Sequence, residues 1–187
     1  MEDSADIVLK AKKLAHEKHK NQKKKDGVTP YSDHLEGVVS RLKNLGVTDK
    51  NVLSSAWLHD IIESTDMTFD QINEKFGREI AVMVLSLTKD KNIPKKDIEQ
   101  QYINQLKNAA IQAKIIKLCD ISANLKDLAN APISKTQKNK QVKKVLHYLR
   151  IIKNDILESQ TEYPKIIEII EGINIICVKF HQKPIVI

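Results

Sequence analysis

Apolar residues recur three and four positions apart along most of the chain and rarely alternate, which is the pattern of helices packed by one face. Ile7, Ala11, Leu14 and Ala15 mark a first amphipathic helix from about residue 4 to about residue 20. The pattern stops in the polar stretch "NQKKKDGVTPYSD", where Gly27 and Pro30 act as breakers. It resumes in a helix that Ser32 or Asp33 can cap and that Gly46 closes. Thr48 is placed to cap a third helix, with Val52, Leu53, Ala56, Trp57, Ile61 and Ile62 on its apolar side and His59, Asp60 and Glu63 among them. Thr68 and Gln71 form a T-x-x-Q capping box that opens a short helix, which "KFGRE" interrupts before the run "IAVMVLSLT". Further helices are expected from Pro94 to Asn108, from Ile111 to Leu128 and from Lys135 to Leu157, with Pro164 inside the first turn of a last one. Residues 173–187, "INIICVKFHQKPIVI", form a β-branched tail expected to pack on the core as a helix end, a short strand or an extended segment.

These segments predict an all-α fold, a single domain over residues 1–187 built as a bundle of eight to ten helices. Composition agrees: with five glycines, five prolines and 4% aromatic residues, the chain has little of what many short strands require. Cys119 and Cys177 lack the spacing of a zinc or redox pair, so reduced thiols are expected. The start "MEDSADIVLK" is acidic and amphipathic rather than leader-like, and no apolar run is long enough for a membrane span, which together predict a cytoplasmic protein without a membrane partner. The net charge is +7, but of 31 basic residues only Arg41, Arg78 and Arg150 are arginine. Base reading and bidentate phosphate clamping favour the guanidinium, so the lysine bias argues against nucleic acid and fits a small anionic ligand. Nothing in the sequence sets an oligomeric state.

Candidate chemistry centres on "LHDIIEST". In a helix, residues four apart lie one above the other, so His59 and Glu63 share a face, while Asp60 points about 100° round the axis. His34 opens the helix that follows the basic loop. Asp120 and Asn124 are again four apart, with Lys117 and Asp127 at neighbouring turns and Ile115, Leu118, Leu125 and Leu128 on the buried stripe. Two imidazoles with two carboxylates make a nitrogen and oxygen donor set that suits manganese, iron or zinc and lacks the thiolates of a structural zinc site. Taken alone, a His-Asp pair in a helix is better explained as a solvated or hydrogen-bonded surface pair than as a metal site.

The order of motifs adds to this. "HKNQKKKDGVTPYSDH", "WLHDIIESTDMTFDQINEKFGREIAVMVLSLTKD" and "KLCDISANLKDL" together resemble the HD-domain hydrolases of the RelA/SpoT type, above all the small stand-alone alarmone hydrolases. That resemblance implies a divalent metal, usually manganese, on His34, His59, Asp60 and Asp120. It implies that Glu63 positions or deprotonates the attacking water, that Lys24 and Lys25 meet substrate phosphates and that Asn124 lies near the nucleotide. The reaction implied is removal of the 3′-pyrophosphate of (p)ppGpp, giving GDP or GTP and pyrophosphate.

One departure bears on the chemistry. The family's Glu-Asp pair is here Glu63-Ser64, and a serine can hydrogen-bond a water but cannot take its proton at neutral pH. Ser64 therefore stands at a catalytic position without the carboxylate. Two alternatives stay open beside alarmone hydrolysis: a phosphatase or pyrophosphatase for another phosphorylated nucleotide, and a slow or inactive relative that binds a nucleotide and regulates.

Overall fold

The computed structural model describes residues 5–186. Among the described residues ten α-helices follow one another: α1 (Ala5–Lys18), α2 (Ser32–Asn44), α3 (Lys50–Leu58), α4 (Ile61–Ser64), α5 (Phe69–Phe76), α6 (Arg78–Leu87), α7 (Lys95–Asn108), α8 (Ile111–Asn130), α9 (Lys135–Glu158) and α10 (Ile166–Lys179). Among the described residues the one β-type pairing is an isolated bridge between Lys23 and Pro30, which closes the basic loop. No helix among them is long and apolar enough to cross a membrane.

Helix α8 is the axis of the bundle, packed against α2, α3, α6, α9 and α10, while α1 covers α3, α5 covers α6 and α7 lies on α9. Its apolar residues face several partners at once, so Ile115, Ile116, Leu118, Ile121 and Leu125 are all buried. Burial of each such side chain contributes about 1.5–3 kcal/mol. Arg41 ties α2 to the axis, donating from Nε to Ser122 Oγ at 3.1 Å and from Nη1 back to Gly37 O at 2.7 Å.

Helix ends follow local chemistry. Gly46, at φ +90°, closes α2 with Gly46 N on Lys43 O and Val47 N on Leu42 O, the paired bonds that a left-handed residue after a helix permits. The capping box of Thr68 and Gln71 is formed, and Gly77, at φ +86°, makes the corner between α5 and α6. Three expectations are corrected. Asp49, not Thr48, caps α3, because its carboxylate reaches both Asn51 N at 2.8 Å and Val52 N at 3.0 Å. Neither Ser32 nor Asp33 caps α2 by its side chain; the first turn bonds to the carbonyls of Pro30 and Tyr31. Pro164 precedes α10 instead of entering it, since Ile166 N turns back to Tyr163 O and the helix starts only there. The last helix takes up the tail as far as Lys179, and beyond it Ile185 is buried with its backbone N–H on Asn174 Oδ1 at 2.7 Å.

Candidate metal centre

The sequence predicts one helix through Glu63, but α3 stops at Leu58 and α4 starts at Ile61, with Asp60 at φ −104°, ψ −1° between them. The interruption frees carbonyls at the end of α3. One of them is used by the site: His59 Nδ1 lies 2.8 Å from Ala56 O. A carbonyl can only accept, so Nδ1 carries a proton and, in the neutral ring, Nε2 presents a bare lone pair. A backbone carbonyl on the far nitrogen is how ligating imidazoles are commonly oriented.

His34 is held in the mirror sense by a carboxylate, with Nδ1 at 3.5 Å from Asp127 Oδ2. Both imidazoles are buried, and their rings face each other at 5.6 Å between centroids. Asp120 closes the set from α8: Oδ1 is 3.2 Å from His34 Nε2 and 3.6 Å from His59 Nε2. These approaches miss hydrogen-bond geometry, so among the described residues both Nε2 atoms are buried without a partner. Buried ring nitrogens are seldom left unpaired. The ligand atoms of His34, His59 and Asp120 lie within 4.8 Å of one another, and the donor set fits a divalent ion. Asp60 does not join that set. Its Oδ2 is 3.5 Å from His59 Nε2 but accepts the hydroxyl of Tyr31.

Electrostatics favour added positive charge here. Burial pushes the His34 imidazole down, but Asp120 and Asp127 reverse this and lift it to about 9. For His59, burial is likewise outweighed by Asp60 and Asp120. Burial disfavours the Asp120 carboxylate, yet Lys117 first, and then the two imidazoles, hold it well below the usual range. Protons and a cation thus compete for the same lone pairs. Asp120 is fixed on its helix by Lys117 Nζ on Oδ2 at 2.8 Å and by Asn124 Nδ2 on Oδ1 at 2.6 Å.

Glu63, four residues after His59, lies half-buried on the short helix α4. Its Oε2 accepts the backbone N–H of Lys89 at 3.1 Å, and Lys91 Nζ donates to its carbonyl. Ser64 is exposed, and its carbonyl accepts from Gln22 Nε2 at 2.9 Å, which ties α4 to the basic loop. In that loop Lys24 Nζ pairs with Asp127 Oδ1 at 3.0 Å and Lys25 Nζ donates to Gln141 Oε1 at 2.5 Å. Lys24, His34, Arg41 and Asp127 line a cavity of about 140 Å³.

Sequence reasoning did not single out Tyr31, Asp127 or Lys89 as site residues, although all three lie inside the quoted motifs. Lys89 sits over two rings, with Nζ 4.8 Å from the centroids of both Tyr102 and Tyr148 and 2.6 Å from the Tyr148 hydroxyl. Burial, and then the like charge of Lys144, bring its ammonium down to about 8 against the pull of Glu99. Lys144→Ala is therefore expected to raise the Lys89 pKa, measured by ¹³C NMR of its Cε; a fall or no change would contradict the like-charge account.

The family described as HD domain matches residues 11–149. The guanosine-3′,5′-bis(diphosphate) 3′-pyrophosphohydrolase MESH1 of Danio rerio is 40% identical over 127 residues, 67% of this chain and 71% of that protein. The Homo sapiens protein of the same name is 38% identical over 130 residues, 68% of this chain and 73% of its own. Among solved structures, that of a metazoan ortholog of SpoT that hydrolyses ppGpp superimposes with a TM-score of 0.70 at 28% identity, over 83% of this chain and 94% of that one. The crystal structure of lmo0812 from Listeria monocytogenes superimposes with a TM-score of 0.61 at 25% identity, over 82% and 97% of the two chains.

Proposed function

The chain belongs to the HD-domain hydrolases of the RelA/SpoT type, and on that premise we propose that it hydrolyses the 3′-pyrophosphate of (p)ppGpp to GDP or GTP and pyrophosphate. The observation that carries this is the pair of buried, unpartnered Nε2 atoms of His34 and His59 facing Asp120. His34, His59 and Asp120 would hold a divalent metal, manganese by resemblance to the family since the donor set alone fits iron or zinc as well, with Asp60 at its margin. Such an ion supplies positive charge for a phosphoryl oxygen and activates water.

The remaining work falls to this chain's own groups. Glu63 has one carboxylate oxygen fixed by Lys89 N–H, which leaves the other to take the proton of the attacking water. Lys24 and Lys25 bring positive charge to the phosphates, Lys24 by exchanging Asp127 for a phosphate oxygen. Asn124 acts through the orientation of Asp120. Two buried, unpaired thiols, Cys119 and Cys177, support a reducing cytoplasmic setting.

The experiment is an assay of purified protein with manganese against ppGpp and a panel of other phosphorylated nucleotides. Release of GDP and pyrophosphate from ppGpp is expected; turnover confined to another nucleotide would move the substrate assignment. Replacing Lys24 and Lys25 together by alanine is expected to raise KM for ppGpp and flatten its dependence on ionic strength, with metal content unchanged. An unaltered KM would return the loop to a solvated face.

Ser64 is the feature that favours slow turnover. Ser64→Asp is expected to raise kcat on ppGpp, because a carboxylate at the end of α4 adds a second proton acceptor next to Glu63. A lower kcat on ppGpp with a preserved fold would instead mean that the serine accommodates a different phosphorylated substrate, which the added charge repels.

A further inference from the structure

A groove of about 560 Å³ opens on the side of α4 that Ile62 lines, bounded by the start of α5, the end of α6, residues 88–92 and α7. None of His34, His59, Asp60 or Asp120 lines it. Its volume is that of a small-molecule pocket. One wall is apolar, made by Ile62, Met67, Phe69 and Leu85, and Leu85 is 43% exposed. An exposed leucine beside a phenylalanine and a methionine gives a flat ring an apolar surface to lie on.

The groove is also lined by a row of amides with a fixed direction. Gln105 Nε2 donates to Leu85 O and Thr88 O, both at 2.8 Å, and Gln101 Nε2 donates to Gln105 Oε1 at 3.1 Å. Two backbone carbonyls at the end of the row can only accept, which sets the orientation of both side chains. Gln101 Oε1 is the acceptor left over, buried and without a partner among the described residues. An acceptor in that state calls for a hydrogen-bond donor, which the N–H edge of a base can supply. At the mouth stand Lys91 and Asn92, both exposed.

We propose that this groove is a second, non-catalytic site for a purine nucleotide. The base lies against Phe69 and Met67 with its ring or amino N–H on Gln101 Oε1, and the phosphate meets Lys91 at the mouth. An apolar face, an unsatisfied acceptor and a cation are together what a purine, its N–H edge and its phosphate need.

The segment that forms the groove's edge also holds Glu63: Lys89 N–H binds its Oε2, and Lys91 Nζ binds its carbonyl. A phosphate that draws Lys91 away removes one of the two contacts. Occupation therefore changes kcat while leaving KM for the substrate unaltered. Binding itself does not depend on which nucleotide the metal centre hydrolyses.

The test is a methyl NMR titration of the full chain with guanosine 5′-monophosphate and adenosine 5′-monophosphate, neither of which carries a 3′-pyrophosphate. Saturable shifts of the Ile62, Met67 and Leu85 methyls are expected with at least one of them, weaker for the matching nucleoside that lacks the phosphate. Gln101→Leu is expected to raise Kd by about tenfold, and Phe69→Ala to do the same; if Phe69→Ala unfolds, Gln101→Leu still decides. Absence of shifts at millimolar nucleotide would overturn the site, as would shifts confined to Ala123, which lines the cavity of Lys24 and His34, or unchanged Kd in Gln101→Leu. In the activity assay the binding nucleotide is expected to change kcat alone. A rise in KM with constant kcat would assign it to the catalytic cavity, and no change in either would overturn the link to Glu63.

Discussion

Protein carrying His59→Ala is expected to lose its divalent metal and with it all turnover. Elemental analysis of protein purified without chelator, beside wild type, is the measurement. The ring does two things that alanine cannot: it presents a bare Nε2 towards Asp120, and its Nδ1–H satisfies Ala56 O at the end of α3. A buried carbonyl left without its donor costs about 1–3 kcal/mol, so a lower melting temperature accompanies the loss. Asp120→Asn separates the two effects, because it removes the ligand charge at nearly constant shape and leaves α3 capped. Metal content equal to wild type in both variants would rule out the site.

For Glu63→Gln the expected result is retained metal, unchanged KM and a fall in kcat on the order of 100-fold or more. The amide oxygen of glutamine can still accept the Lys89 N–H that Glu63 Oε2 accepts now, so the position of α4 is preserved. What disappears is the ability to take a proton. Steady-state kinetics with metal stoichiometry on the same sample decide it, and wild-type kcat would remove Glu63 from the role of base.

Much of the fold was legible because each helix carries its own apolar stripe and several carry their own stop signals. Gly46 and the Thr68–Gln71 box act within five residues of chain, and the structure forms them as expected. The break between α3 and α4 was not legible. No glycine or proline marks it, and its cause is partly tertiary: His59 turns inward to a set that His34 and Asp120 complete from two other helices. The same distance in sequence hid the supporting contacts. Lys24 and Asp127 are 103 positions apart, and only the packing of α2 on α8 makes them neighbours. Residue type along one helix face named Asp120 and Asn124, but could not say that Asn124 donates to Asp120 itself. Ser64 was noticed as a missing carboxylate; its tie to Gln22 through the backbone belongs to no side-chain pattern.

Asp127 divides its two oxygens between partners with different duties, Oδ1 to Lys24 of the basic loop and Oδ2 to His34. Were a phosphate to take over Lys24, as proposed, the whole negative charge of Asp127 would fall to the imidazole and hold its Nε2 lone pair more firmly in place for a cation. By thermodynamic reciprocity the converse holds as well: whatever strengthens His34 as a ligand loosens Lys24 and readies it for phosphate. On the proposed function, metal and phosphate would thus be cooperative ligands coupled through a single shared carboxylate, and a nucleotide that has lost its pyrophosphate would give up part of that mutual grip as it departs.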